Sequence, residues 1–537
     1  MKKRKMSKSI FAIFAIAVAM VSCKTEQSRE DQVSAIIDKV DSPFFIVNAV
    51  PGDLIEKSGA MDGALPFTQE MLLGFFIDQE VTGVDYDVDV QIIVGKGPSF
   101  APNFYGIFKV KNETAFVELL ETEANAEVME RDGFKYIIKE SDQYVIVWDE
   151  EFAIASNIPM DFADMFSGGG SKQGDKAVNK AIQLIKAGYE GEVNEEYKAF
   201  LQTEADIAMR YEGEGLYAYM SEMSMGDNEE LEANKESIEG GNANIYLNFN
   251  NGSVGLQAVS ELADELKEKF AFLKDEPVNS KLMDYGNSAN PIALFSYHAD
   301  LEKALDYSED QMSPLAYANF EETLAEVGLT TEDAKNALTG EVLMIMDRVE
   351  IVEEVIDWGY GEPYVSEEPV PVFALALGVA NAGIVQTVLV DSLMITEGIY
   401  KNGDAFMVLS NDVFFTTNDS AWAAKVQAGE MQTVTDKTGS IASHPFALYI
   451  DFTPLAYMPD LGDAKSVVEL VDNFHGGGNI DEINFSLILK DDSKNALRLI
   501  TETVSSLTEE TPEGEEFEAL EEELEAAAAE TAEEETH

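Results

Sequence analysis

The chain has 537 residues, room for two to four domains of roughly 100 to 200 residues, and is 45% apolar, 10% aromatic and 26% charged with 16 Pro. That composition excludes collagen-like, wholly disordered and multi-span membrane proteins. Thirty-six Lys and Arg against 101 Asp and Glu give a net charge of −65 and a pI near 4.1, which excludes a nucleic-acid partner and repels an anionic bilayer.

In chain order, the first element is a targeting segment. Residues 1–9 carry five positive charges and Ile10–Val21 follow as an apolar run of twelve. Twelve residues at 1.5 Å each cover about 18 Å, short of the roughly 30 Å hydrocarbon core, so a secretory signal fits better than a spanning helix. The run ends in Met20-Val21-Ser22-Cys23, which resembles the lipobox of bacterial lipoproteins with Met20 in place of the usual Leu. The resemblance implies that Cys23, the single cysteine, becomes an acylated N-terminus, and that residues 1–22 are removed. Lys24 in place of an Asp at the next position favours the outer membrane over retention in the inner one. Loss of five cations takes the mature chain to a net charge near −70. Residues 23–32 are expected to be a lipidated tether.

From residue 33 the sequence reads as two matched halves, 33–275 and 285–508. SPFFIVNAVPGDLIEKSG from Ser42 parallels NPIALFSYHADLEKALDYS from Asn290: a proline, an apolar strand, then Asp-Leu opening a helix. Thr82-Gly83 and Thr339-Gly340 then precede the strands VDYDVDVQIIV and EVLMIMDRVEI. FYGIFKV from Phe104 and VFALALG from Val372 are further strands, each leading into a helix. FKYIIKESDQYVIVWDEEFAIASN and GIYKNGDAFMVLSNDVFFTTND read as short strands around turns at Arg131-Asp132-Gly133 and Asn402-Gly403. EADIAMRYEGEGLYAYM from Glu204 matches HPFALYIDFTPLAYM from His444. The stretches from Gly240 and Gly476 each read as a glycine hinge, two strands and an amphipathic helix. The period-two strands, tight turns and intervening helices predict α+β, two duplicated halves with antiparallel sheets covered by helices on one face. Residues 275–290 are the expected junction. The last segment, 509–537, holds fourteen Glu and no Lys or Arg and reads as a solvated acidic tail.

The chain shows no catalytic signature. G-x-S-x-G and the P-loop pattern are absent, and Gly168-Gly169-Gly170-Ser171-Lys172 reads as a linker. His298, His444, His475 and His537 lack zinc-motif spacing, so no metal or cofactor is expected. Asp85, Asp87 and Asp89 alternate, and a strand would hold them on one face roughly 6.6 to 7 Å apart. That spacing suits a weak cation site or the carboxylate pair of an inverting glycosidase, but a solvated edge face in a very acidic protein is the preferred reading. Two loops carry aromatics at matched places: Gly95–Gly106, with Phe100, and Trp358–Pro371, with Trp358, Tyr360 and Tyr364. Aromatic anchors among Gly, Pro and Glu suit contact with a ligand or partner, and packing over the adjacent sheet is the alternative. Asp391-Ser392-Leu393 and Asp419-Ser420-Ala421 resemble the short O-glycosylation sites of Bacteroidetes.

The lipobox, the duplicated α+β body and the Ser42 and Asn290 segments together resemble an uncharacterised family of Bacteroidetes lipoproteins, a domain of unknown function, over residues 20 to 508. Its motifs are hydrophobic patterns, so no active site is carried over from the resemblance. The expected function is therefore a non-enzymatic binding or scaffolding lipoprotein of the cell envelope, its partners the membrane through Cys23 and an envelope protein or glycan. The alternatives are a hydrolase using acidic residues, carbohydrate-active or otherwise, and a carrier of an apolar ligand.

Overall fold

Short alternating segments joined by tight turns must pair with their neighbours in opposite directions, and the ladders of the computed structural model are antiparallel. It describes residues 27–60, 82–97, 101–122, 125–158, 170–224, 231–232, 234–311, 314–326, 330–356, 364–392, 394–396, 398–410, 412–458, 461 and 464–510. Helices accompany the sheets, so the class is α+β. The chain divides into two compact units, residues 1–51 with 79–244 and residues 52–78 with 245–537.

In the first unit the strands are β1 (Pro43–Ala49), β2 (Val90–Gly95), β3 (Asn103–Phe108), β4 (Met129–Arg131), β5 (Phe134–Lys139), β6 (Tyr144–Trp148), β7 (Ala153–Asn157) and β8 (Ile207–Tyr211). Their order is β8-β1-β2-β3-β7-β6-β5-β4. Asp132 and Gly133, both at positive φ, make the two-residue turn between β4 and β5. Helix α1 (Arg29–Ile37) starts from a capping box in which Ser28 Oγ accepts from the Asp31 amide. Helix α2 (Glu113–Thr122) sends Phe116 and Leu120 into a core with Ile137 and Trp148. Helix α3 (Gly170–Glu190) lies on β5 to β7 and buries Val178, Ala181, Ile182 and Ile185, the i, i+3, i+4, i+7 stripe of one helix face. Its first three residues, 170–172, fall in the expected Gly168–Lys172 linker: the apolar stripe downstream outweighs the helix cost of the glycines.

The strand β9 (Gly241–Asn250) carries the chain between units. The second unit holds β10 (Ser253–Leu262), β11 (Ala293–His298), β12 (Leu338–Ile356), β13 (Tyr364–Val379), β14 (Met394–Thr396), β15 (Ile399–Asn402), β16 (Ala405–Leu409), β17 (Val413–Thr417), β18 (Phe446–Asp451), β19 (Val471–Gly478) and β20 (Glu482–Leu489). Their order is β10-β20-β19-β18-β11-β12-β13-β17-β16-β15-β14. Helices α4 (Ala382–Ser392), α5 (Ser420–Ala428) and α6 (Ala496–Glu510) accompany them. The core gathers Leu294, Leu343, Ile345, Ala374, Phe415 and Trp422.

The expected junction at 275–290 is not where the units divide. Ser280–Tyr285 form a 3-10 helix whose Leu282, Met283 and Tyr285 enter the second unit's core, and Trp422 Nε1 donates to the Tyr285 carbonyl at 3.0 Å. The division falls earlier, at Asn244, because β10 is held by its full ladder with β20. The triglycine from Gly476, expected as a hinge, lies inside β19, opposite Leu448, Ala447 and Phe446.

Candidate functional site

Asp85, Asp87 and Asp89 do not share a strand face. Val84 makes an isolated bridge to Val110, residues 86–88 turn, and β2 starts only at Val90. Tyr86 is buried, its hydroxyl on Thr82 Oγ1 at 3.1 Å, and it pulls the segment out of alternation. Lys111 Nζ stands 2.8 Å from Asp87 and 3.5 Å from Asp85. Arg29 donates to the Asp89 carbonyl at 3.2 Å. Asp85 and Asp87 thus pair with one cation, Lys111, and Asp87, with its side chain 68% exposed, lies in solvent rather than in the desolvated site that a general acid needs. Among the described residues no group of three or more His, Cys, Asp or Glu is placed to hold a metal ion. His298 and His475 serve local structure: His298 Nδ1 meets the Glu276 carbonyl at 2.8 Å, and His475 Nδ1 meets Asn473 Oδ1 at 2.8 Å.

A cleft of about 540 Å³ in the second unit is bordered by Asp53, Glu56 and Lys57 of the helix Pro51–Ser58 and by Lys494 and Arg498 near the start of α6. Lys494 and Arg498 both bind Glu502, at 2.8 and 2.9 Å, and these bonds hold its carboxyl below the usual range. The residues lining this cleft are all polar or charged, whereas a carrier of an apolar ligand needs an apolar-lined cavity.

The aromatic loop of the second half is where the structure departs most from expectation. Tyr364–Pro371, expected as loop, are the first half of β13, and β12 runs on to Ile356. Neighbouring strands stop well before this. β11 reaches Met346 and β17 reaches Ala374, whereas the β12–β13 ladder continues from Arg348↔Val372 to Ile356↔Tyr364. The result is a two-stranded ribbon with no further strand partner among the described residues. Residues 357–363, which join its strands and include Trp358 and Tyr360, lie outside the described residues, as do Phe100 and Cys23; of Tyr364 only the backbone is described.

The ribbon is clamped at its root. Asp347, buried at a bulge in β12, accepts from Asn287 Nδ2 at 2.8 Å and pairs with Arg348 at 3.0 Å. Arg348 also reaches Asp419 at 2.9 Å and Glu350 at 2.9 Å, and its guanidinium is held more firmly protonated by these carboxylates, Asp419 first. Burial raises the Asp419 carboxyl, but the Arg348 bond and the Trp422 and Ala421 amides outweigh it and hold the group below its ordinary value. Beyond the clamp Ile351, Val352 and Val370 are exposed at 44%, 46% and 37%. Sequence reasoning placed Ile351 in a strand and Val370 in a loop but singled out neither for contact. VEIVEEVI and YVSEEPVP each carry β-branched residues on either side of a turn, and that signal was available.

Among the described residues no helix is long and apolar enough to cross a membrane. No protein-family model matches the chain, and no curated protein matches it. Among solved structures, crystal forms I and III of TP0453 align with 43% of this chain and with 79% and 80% of their own, at 9% and 8% identity and a TM-score of 0.24. At that score the likeness carries no weight for fold or function.

Proposed function

We propose that the protein is a cell-envelope lipoprotein, anchored in the outer membrane through acylated Cys23, that binds a partner protein or glycan without catalysis. The observation that carries this reading is the β12–β13 ribbon, which leaves the sheet, exposes Ile351, Val352 and Val370, and closes through the segment bearing Trp358 and Tyr360. Exposed apolar groups on a rigidly rooted projection suit recognition better than stability, because they add nothing to the core. The test is a chain in which residues 351–369 are replaced by Asn-Gly, compared with the full chain for capture of components from solubilised envelope. Loss of specific components with an unchanged melting temperature supports the reading; identical capture by both chains overturns it. The anchor has its own test, mass spectrometry of the native N-terminal peptide: an unmodified Cys23 on a processed, membrane-bound chain would sink it.

The two strand sets are also read as duplicates. β8-β1-β2-β3-β7-β6-β5-β4 and β18-β11-β12-β13-β17-β16-β15-β14 run in the same order. A shared side-chain device supports this. Asn157 accepts from the Phe104 amide at 2.8 Å and donates to the Pro102 carbonyl at 3.1 Å. Asn418 accepts from the Phe373 amide at 3.1 Å and donates to the Pro371 carbonyl at 2.8 Å.

A further inference from the structure

We infer that the free edge of β12 takes up an extended, basic segment of a partner protein as an added strand. The inference rests on the ribbon being the binding element, and it follows from a difference between the ribbon's two edges. On the β13 side, the Phe373 amide and the Pro371 carbonyl both turn to Asn418, away from β12. Pro369 has the same parity, so its missing N–H also falls on this outer edge. With prolines at 369 and 371 and a carboxamide over 371–373, the β13 edge offers an incoming strand no donor at either proline.

The β12 edge is the reverse. Opposite Pro371 and Pro369 stand Val349 and Ile351. Directly opposed residues of an antiparallel pair turn their backbone groups the same way, toward each other or both outward. The N–H and C=O of Val349 and Ile351 therefore point away from β13, along the line that β11 occupies up to its last pair, Ala293↔Met346. The Ile292 amide still donates to the Met346 carbonyl, at 2.8 Å, and there the described neighbour ends. An edge of β-branched residues without proline, continuing an existing ladder, is the geometry of strand addition.

The occupant's chemistry follows from charge. The ribbon's sequence holds Glu350, Glu353, Glu354, Glu367 and Glu368 against Arg348, and Arg348 is engaged with Asp347, Glu350 and Asp419. A second copy of this chain, with the same glutamates and a net charge of −65, is repelled, and so is an anionic bilayer. A strand bearing Lys or Arg with apolar residues between them matches both the glutamates and the exposed Ile351 and Val352.

The test uses the full chain in non-ionic detergent and fluorescent peptides of about ten residues alternating Lys with Val, Glu with Val, and Lys with Val carrying N-methyl groups at every second residue. The Lys-Val peptide should raise anisotropy on binding, and the other two should not. Ile351→Pro removes a donor that faces outward, so the ribbon's own ladder and the melting temperature should survive while binding weakens roughly tenfold or more; Ile351→Thr keeps that donor and loses only apolar contact, so it should weaken binding far less than Ile351→Pro. Val349→Pro is the second variant, with the same expectation. Equal binding of the methylated peptide, or full binding by both proline variants, would leave only charge attraction and overturn strand addition. If no peptide binds while the ribbon-shortened chain still loses envelope components, strand addition falls and the ribbon reading stands; if that chain keeps them, both fall.

Discussion

Gly83 and Gly340 follow a threonine at matched places and sit at φ of 71° and 87°. A Cβ on Gly83 would meet the Asn112 carbonyl, and one on Gly340 the Ala299 carbonyl. Both the left-handed backbone and the close approach demand glycine, so Gly83→Ala and Gly340→Ala should each cost about 2 kcal/mol or more. Urea unfolding measures this, and a loss under about 0.5 kcal/mol in either variant would contradict it. Asp419 yields a prediction with a pH signature. Asn at this position keeps the helix cap, accepting from the Ala421 and Trp422 amides, but loses the charge facing Arg348. Because the folded carboxyl titrates below its ordinary value of 3.8, its contribution is present above that pH and disappears as the pH falls through the lower folded value. Asp419→Asn should therefore be less stable than the parent at pH 7 and indistinguishable from it in strong acid. Denaturant midpoints across pH 2 to 7 test this, and a difference that persists at the acid end would refute the ion pair as its cause.

Among the elements, the asparagines that close β3 and β13 have the clearest consequence. Each makes two backbone bonds to a strand edge, so Asn157→Ala and Asn418→Ala should each lose about 1 to 2 kcal/mol. The Phe104 and Phe373 amides should then exchange hydrogen faster while those inside the ladders stay protected; unchanged rates at both would rule the bonds out. Elements with strong periodicity were readable beforehand. The helices at 113–122 and 382–392, the hairpin at Asp132-Gly133 and the strands around Asn402-Gly403 all appear where their patterns and turn residues put them. The misreadings have physical causes. VDYDVDV alternates, but Tyr86 gains more by burial than by extending the strand. YVSEEPVP looks like loop because of its prolines, yet these occupy the one edge where a strand tolerates them.

For the whole molecule, a net charge of −65 stores repulsion that compaction increases. Raising salt from about 10 mM to about 1 M shortens the screening length from roughly 30 Å to 3 Å, so the melting temperature should rise by several degrees. Calorimetry in sodium chloride checks this, and a flat or falling curve would mean that its ion pairs, such as Lys111 with Asp87, outweigh the general field.

The sequence by itself determined what depends on neighbours along the chain: the apolar run Ile10–Val21 ahead of Cys23, the order of strands and helices, the turn glycines and the charge. These follow from local periodicity, backbone sterics and composition, none of which needs a distant partner. Only the tertiary structure decided where the chain divides, that Tyr285 and Leu282 belong to a core rather than a linker, and that Lys111 lies between Asp85 and Asp87. It also decided that β12 and β13 outrun their neighbours. A strand's length is written in its own residues, whereas an edge without a strand partner among the described residues exists only because β11 and β17 stop short, and that comparison spans more than a hundred residues of chain.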